Sequence, residues 1–414
     1  MNGKRVVNRS KFGRKLLISF FFLTLALLFS VLADRVAGAF LDRGAAGEGL
    51  IFPPKSTFRY QTPEFDFTAD INTLGFRDRE FDLNQDGETR ILAVGDSFTY
   101  GWGVGAGESW PKLLEARLRH MGHGVEVANL GQPGASPAAY ARIVDKAIPL
   151  LKPDLVIVGI LQGDDLVPDN NWKPAPEHSA AARGGGAPAR ATSLTLLRGR
   201  ISAAGRRMYP NLLRLMDNRS PRQPLSALWK NQAETIIEGL TPEERARFDG
   251  IDAGVKRSFV NGELNPALLL GAIKQPNYFL DTHNIDGPEV ESLISAMARN
   301  LARIKETADR YGCQVVVVSV PYKVYASRRD LESSRRLGLN LIPEMAESDS
   351  ADKAIENACR AAGVKFFGVT DEFRRAAGTT HLFYEMDGHF NAAGHQTFAD
   401  LFAPLLARQW FEAK

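Results

Sequence analysis

Ile91-Leu92-Ala93-Val94-Gly95-Asp96-Ser97-Phe98-Thr99-Tyr100-Gly101 is the most informative stretch of the chain. Four consecutive apolar residues ended by Gly-Asp-Ser predict a buried parallel strand that delivers a serine onto a sharp turn. The pattern Ser109, Trp110, Leu113, Leu114, Leu118 that follows predicts a helix. A serine at the carboxyl end of a strand, ahead of a helix, lies where open α/β sheets place their ligand crevice. There its Oγ is accessible while N–H groups at a helix start point at a developing anion. Gly-Asp-Ser is also ordinary turn and N-cap chemistry, so the segment needs context from the rest of the chain.

That context lies downstream. Val125-Glu126-Val127-Ala128-Asn129-Leu130 predicts a second strand, ending in Gly131-Gln132-Pro133-Gly134-Ala135-Ser136. Pro153-Asp154-Leu155-Val156-Ile157-Val158-Gly159-Ile160 predicts a third, ending in Leu161-Gln162-Gly163-Asp164-Asp165, and Val315-Val316-Val317-Val318-Ser319-Val320-Pro321 a fourth. Near the C-terminus, Met386-Asp387-Gly388-His389-Phe390-Asn391 precedes a closing helix rich in Phe, Leu and Ala. Strand ends carrying Ser, Gly and Asp, with a late Asp-x-His, can bring a nucleophile, oxyanion donors and a base to one crevice.

This order resembles the SGNH (GDSL) hydrolase superfamily over two blocks, residues 88–166 and 288–406. The resemblance implies an α/β chain with a three-layer, flavodoxin-like fold around a mainly parallel sheet, and no cofactor or metal. It also implies Ser97 as nucleophile with its own N–H in the oxyanion hole, and Gly134, five residues after Asn129, as a second donor. His389 matches the base and Asp387 its orienter, with Glu385 as second choice for the latter. The commoner family spacing is Asp-x-x-His. The shorter Asp-x-His looks like the alginate O-acetylation branch, which places its pair ahead of the serine. Such a site performs acyl transfer: the serine attacks an ester carbonyl, the imidazole takes its proton, and N–H groups meet the oxyanion. Release of the acyl group to water makes an esterase, and release to a sugar hydroxyl an O-acyltransferase.

Asp164 falls where the family usually carries an asparagine whose amide donates to the oxyanion. An ionised carboxylate offers only acceptors. Three readings follow: Asp164 is protonated through burial and its neighbour Asp165, Gln162 supplies the amide instead, or backbone donors act alone. Tyr100 and Trp102 are expected to stack on sugar rings beside a flexible wall of Gly101, Gly103, Gly105 and Gly107, with Gln162 and Asp165 as further substrate contacts. Those glycines do not satisfy Gly-x-Gly-x-x-Gly, and no Gly-Lys-Ser/Thr follows, which excludes nucleotide binding. His395 is expected to be a packing or capping histidine, with a second base as the alternative, and Arg77 to enter a structural salt bridge, with a recognition role as the alternative. Asp82-Leu83-Asn84-Gln85-Asp86-Gly87 imitates a calcium loop, but Ala93 stands where the bidentate glutamate belongs, so a turn is expected.

Composition sets the frame. The 414 residues leave room for one large core with insertions, and a net charge of +3 with dispersed Lys and Arg shows no nucleic-acid footprint. The two cysteines, Cys313 and Cys359, allow either a bridge or two buried thiols. Six basic residues (Lys4, Arg5, Arg9, Lys11, Arg14, Lys15) precede the charge-free run 16–33. That pattern predicts a membrane anchor with the basic flank in the cytoplasm, or a signal removed near Ala37-Gly38-Ala39; either sends the rest outward into a periplasm-like space.

The expected division is therefore 1–39, basic stub and inner-membrane anchor or signal; 40–87, a small β-rich module; 88–167 and 287–414, the two parts of the core; and 168–286, an inserted helical cap. The insertion carries Trp172, a low-complexity stretch at 180–191, and Arg198, Arg200, Arg206 and Arg207, which read as a solvated face or as contacts to an anionic polymer or lipid headgroups. The leading function is an anchored esterase or O-acyltransferase acting on an acylated cell-surface glycan. The alternatives are a catalytically silent carbohydrate-binding or assembly protein of the same fold, or a lipid deacylase.

Overall fold

The computed structural model describes residues 17–22, 24–25, 29–35, 49–83, 87–166, 208–209 and 225–412. Two short strands, β1 (Thr57–Gln61) and β2 (Asp66–Asp70), pair antiparallel. Five more, β3 (Thr89–Gly95), β4 (Val125–Gly131), β5 (Leu155–Leu161), β6 (Gln314–Val320) and β7 (Lys365–Phe367), form a parallel sheet in the order β4-β3-β5-β6-β7. This is the flavodoxin-like order with both sheet faces covered. The four predicted strands are present. The edge strand β7 has no counterpart among them, because it is three residues long and only Phe367 is buried.

Alternation along the strands sorts side chains between two cores. Leu92, Val94, Val156, Val158 and Val317 face one layer of helices, Pro137–Leu151, Pro288–Arg310 and Ser350–Ala362. Ile91, Ala93, Ile157, Val316 and Val318 face the other, Trp110–His120, Thr370–Ala377 and Ala392–Leu406. The helix Pro288–Arg310 shows why the layers form: Pro288 and Glu289 suit its first turn, and Met297, Leu301, Ile304 and Ala308 make one buried stripe. Residues 91–94 are fully buried, and burial of each Val, Leu or Ile is worth about 1.5–3 kcal/mol. Cys313 and Cys359 both lie in the first core as free thiols, pushed up by burial to about 11 and about 12 respectively.

The hairpin β1–β2 turns Tyr60, Phe67 and Ala69 inward, onto Trp102 and Trp229. Between β5 and β6, the helices Leu225–Gly239, Pro242–Gly250, Ala253–Val260 and Pro266–Lys274 close around Ala233, Phe248, Val255, Phe259 and Leu269. Side chains set these short helices: Thr241 and Glu244 form a capping box, and Asp252 and Asn265 accept N–H bonds at the next two starts.

Residues 48–183 and 223–414 make one compact unit, and residues 1–47 and 184–222 another. In the second unit, helical residues 17–22 and 29–35 expose Leu17, Phe20, Phe21, Phe22, Phe29 and Leu32. Among the described residues no helix is long and apolar enough to cross a membrane, and the run 16–33 lies partly outside them. Trp172, the stretch 180–191, Arg198, Arg200, Arg206, Arg207, residues 84–86 and Ala37-Gly38-Ala39 also fall outside the described residues.

Candidate active site

The Gly-Asp-Ser turn folds back as tightly as its sequence demands. A Cβ on Gly95 would stand 2.0 Å from Thr99 Oγ1, so glycine is required where β3 ends. Asp96 then caps the four-residue helix Ser97–Tyr100, its carboxylate accepting the Phe98 N–H at 2.9 Å. The turn beyond is pinned from the N-terminal side. Arg77, buried between the rings of Phe67 and Tyr100, donates to the carbonyls of Tyr100 (3.1 Å), Gly101 (2.8 Å) and Val104 (2.6 Å). Its partners are thus carbonyls, which corrects the expected salt bridge. Gly103 packs against the Tyr384 ring, so this part of the glycine wall is a packed turn and not a flexible one.

The second half of the site arrives from the C-terminal loop. Tyr384 N–H donates to His389 O at 2.9 Å, Gly388 N–H to Tyr384 O at 3.1 Å, and Phe383 pairs with Phe390. Gly388 sits at φ 83°, in the left-handed region, and this bend lets Asp387 and His389 meet across a single residue. His389 Nδ1 contacts Asp387 Oδ1, and His389 Nε2 lies 2.7 Å from Ser97 Oγ. The imidazole is held between Phe98 and Trp102, with ring centroids 4.8 and 6.0 Å away. Burial alone would lower its proton affinity. The Asp387 carboxylate outweighs that, aided by Asp96 and Asp164, and the pKa stands above the ordinary 6.5. Glu385 is exposed and pairs with Arg336 at 3.2 Å, away from the imidazole.

The strand ends on either side of β3 complete the crevice. Gly134 and Asp164 line the same cavity as Ser97 and His389, at the switch point of the sheet. From the inserted helices, Gln232, Asn265, Leu268 and Gln275 line its far side, with Phe279 and Tyr322 stacked 5.3 Å apart near β5 and β6.

Four expected substrate contacts have other employment. Tyr100 is fully buried, against Phe52 and beneath Arg77, because the helix turn after Ser97 points it into the hairpin core. Trp102 lines the cavity but is almost fully buried, with Tyr60 and Phe65 packed on its ring and His389 6.0 Å away, so it buttresses His389 instead of offering an open stacking face. Gln162 is buried, donating to Asp352 and Thr370 at 2.7 Å and accepting the Tyr322 N–H at 3.1 Å, so its amide is spent outside the cavity. Asp165 is buried as well, accepting from Tyr140 Oη at 2.9 Å and the Leu161 N–H at 2.8 Å. His395 is buried too: its Nδ1 accepts the Trp110 N–H at 3.3 Å, at the start of a helix, and burial pushes its pKa down to about 3.

Two charges near the site, Glu64 half-buried and Lys323 buried, carry no recognisable motif. Glu64, in the turn of the β1–β2 hairpin, accepts the N–H groups of Met386 (3.0 Å) and Asp387 (2.7 Å). Lys323, fully enclosed after β6, donates to Glu385 O at 3.1 Å and Ser333 Oγ at 3.2 Å.

Residues 93–259 match the model of the GDSL-like lipase/acylhydrolase family, and residues 278–414 match that of the SGNH hydrolase-like domain of the acetyltransferase AlgX. No curated protein matches. Similar solved structures include TesA (12% identity, 77% of this chain and 99% of that one, TM-score 0.35). They also include the psychrotrophic esterase EstA from a Pseudoalteromonas species (10%, 78% and 100%, TM-score 0.36) and the acetyl xylan esterase AlAXEase (11%, 77% and 99%, TM-score 0.34). With both family models matched in chain order, one over the Gly-Asp-Ser block and one over the Asp-x-His block, the chain belongs to the SGNH hydrolase superfamily of serine esterases and O-acyltransferases.

Proposed function

We propose that this enzyme cleaves or transfers an ester-linked acyl group, acetyl on a neutral cell-surface glycan, through a covalent intermediate on Ser97. The observation that carries the reading is the unbroken Asp387–His389–Ser97 chain of contacts. Ser97 Oγ bonds to the carbonyl carbon as its proton passes to His389 Nε2, and Asp387 holds the other ring nitrogen and balances the imidazolium. The N–H groups of Ser97 and Gly134 are the oxyanion donors. Collapse breaks the ester bond, and the leaving alcohol takes the proton from His389. Water or a sugar hydroxyl then repeats the steps in reverse on the acyl-enzyme.

The cavity supports a neutral acceptor. Among the described residues that line it there is no Lys or Arg, whereas three side-chain amides (Gln232, Asn265, Gln275) and the Phe279–Tyr322 stack suit hydroxyls and sugar rings. A uronate or phosphate would meet the carboxylates of Asp96, Asp164 and Asp387 and no Lys or Arg. The N-terminal segment is proposed as an inner-membrane anchor holding the enzyme outward, supported by the charge-free run 16–33 behind its basic flank and by the exposed apolar side chains there. A fluorophosphonate probe, which reacts only with an activated serine, tests the core of the reading on the full chain. Labelling and acetate release from acetylated glycan are expected in the native protein and lost in Ser97→Ala; an unlabelled native protein at every pH refutes it.

A further inference from the structure

The short Asp387-Gly388-His389 spacing raises a physical problem that the rest of the molecule solves. A one-residue link gives the orienting carboxylate little freedom to find the imidazole, so the peptide units around it must be held from outside. Two side chains of opposite charge, Glu64 half-buried and Lys323 buried, do so. Glu64 Oε1 and Oε2 accept the N–H groups of Met386 and Asp387, and Lys323 Nζ donates to the carbonyl of Glu385. The aliphatic part of Lys323 also lies under Gly388, where a Cβ would stand 3.2 Å from Lys323 Cδ.

We infer that Glu64 and Lys323 are positioning residues that clamp the peptide units 385–387 and thereby hold Asp387 against His389, an inference that rests on the proposed triad. Neither residue lines the cavity itself; they hold its wall from behind, at Asp387 and Gly388. They come from distant elements, the hairpin turn and the segment after β6, and converge only on this turn. The hairpin is itself fastened to the loop: Phe65 packs on Tyr384 with ring centroids 5.3 Å apart, and Tyr384 Oη donates to Gly103 O at 2.8 Å.

Hydrogen bonds between an ionised side chain and the backbone are about twice as strong as neutral ones, which suits a rigid clamp. The groups facing Glu64 are Asp387 and Lys323; those facing Lys323 are Asp330, Glu64, Asp387 and Glu385. Burial raises the Glu64 carboxyl above its ordinary range, and burial lowers Lys323 to about 8 against the pull of those carboxylates. Asp387 Oδ2, buried and without a hydrogen-bond partner, depends on the clamp for its direction.

The test uses Glu64→Ala, Glu64→Gln and Lys323→Met in the full chain, with 4-nitrophenyl acetate as substrate and the His389 ring titration followed by NMR. In Glu64→Ala kcat should fall about tenfold to a hundredfold, the usual cost of a sub-ångström to ångström misplacement, with KM within about twofold. The His389 titration should move down, because a misaligned Asp387 stabilises the imidazolium less. Glu64→Gln, which keeps one acceptor oxygen, should recover part of the loss, and Lys323→Met should show the same kcat-selective pattern. Unchanged kcat, or an unchanged His389 titration in Glu64→Ala despite a lower melting temperature, overturns the clamp. If native Ser97 takes no label, the catalytic reading falls, and the clamp is then judged on the titration curve alone.

Discussion

Replacing Asp164 with asparagine removes a carboxylate from the cavity at the position where an amide donor serves the oxyanion best. Two like unit charges about 4 Å apart, at an effective dielectric of about 20, repel by about 4 kcal/mol. Asp164 is half-buried, so water screens a large part of that. An amide aimed at the anion adds a donor worth about 2.7–4 kcal/mol in comparable oxyanion holes. If only a quarter of the combined change is realised, the barrier falls by about 2 kcal/mol, or about thirtyfold in kcat. A second effect follows from the imidazole. The Asp164 carboxylate helps to hold the His389 pKa up, so its removal lowers that pKa and leaves His389 neutral, and competent as a base, at lower pH. Asp164→Asn should therefore raise kcat for 4-nitrophenyl acetate and shift the acidic limb of kcat/KM downward. A fall in kcat of about tenfold or more, with Ser97 still labelled and the limb unmoved, would refute the reasoning and make the carboxylate itself a working part.

The remaining predictions concern the base and the turn beyond Ser97. In the native enzyme kcat/KM should rise with pH through a midpoint above 6.5, because the base must be neutral and its pKa is raised. Asp387→Asn should lower that midpoint and reduce kcat by up to about 10⁴, read from initial rates across pH, with the circular dichroism unchanged. Arg77→Lys keeps the charge but cannot span three carbonyls, so it should destabilise the fold by about 1–3 kcal/mol in urea titration.

The parallel sheet and the nucleophile turn were legible because their signals are local. Four apolar residues before Gly-Asp-Ser already state a strand, a turn and a helix start, and the structure has each in place. The closing helix Ala392–Leu406 showed through its run of Phe, Leu and Ala behind the Asp-x-His block. What stayed hidden depends on contacts between distant residues. Tyr100 looked like a surface aromatic beside Ser97; only the hairpin, folded over it, makes it core. Gln162 looked available until Asp352, Thr370 and Tyr322 closed around it from later segments. Glu64 follows a proline in an unremarkable turn, and nothing within fifteen residues of it hints at a partner beyond residue 380. β7 is too short to leave a periodic trace.

The reacting pair also sets a schedule for folding. Ser97 and His389 are 292 residues apart, and the central strand β5 finds its β6 neighbour only after the whole insertion has been made. Until then one edge of β5, an almost wholly apolar strand, has no partner and is a template for wrong pairings. The entropic cost of closing such a long loop grows only slowly, about 0.6 kcal/mol per doubling of length, so the hazard is one of time and not of equilibrium. A chain emerging N-terminus first would thus hold its serine inert until nearly its last residues arrive. Covalent capture of that serine would then report completion of the fold as well as chemistry.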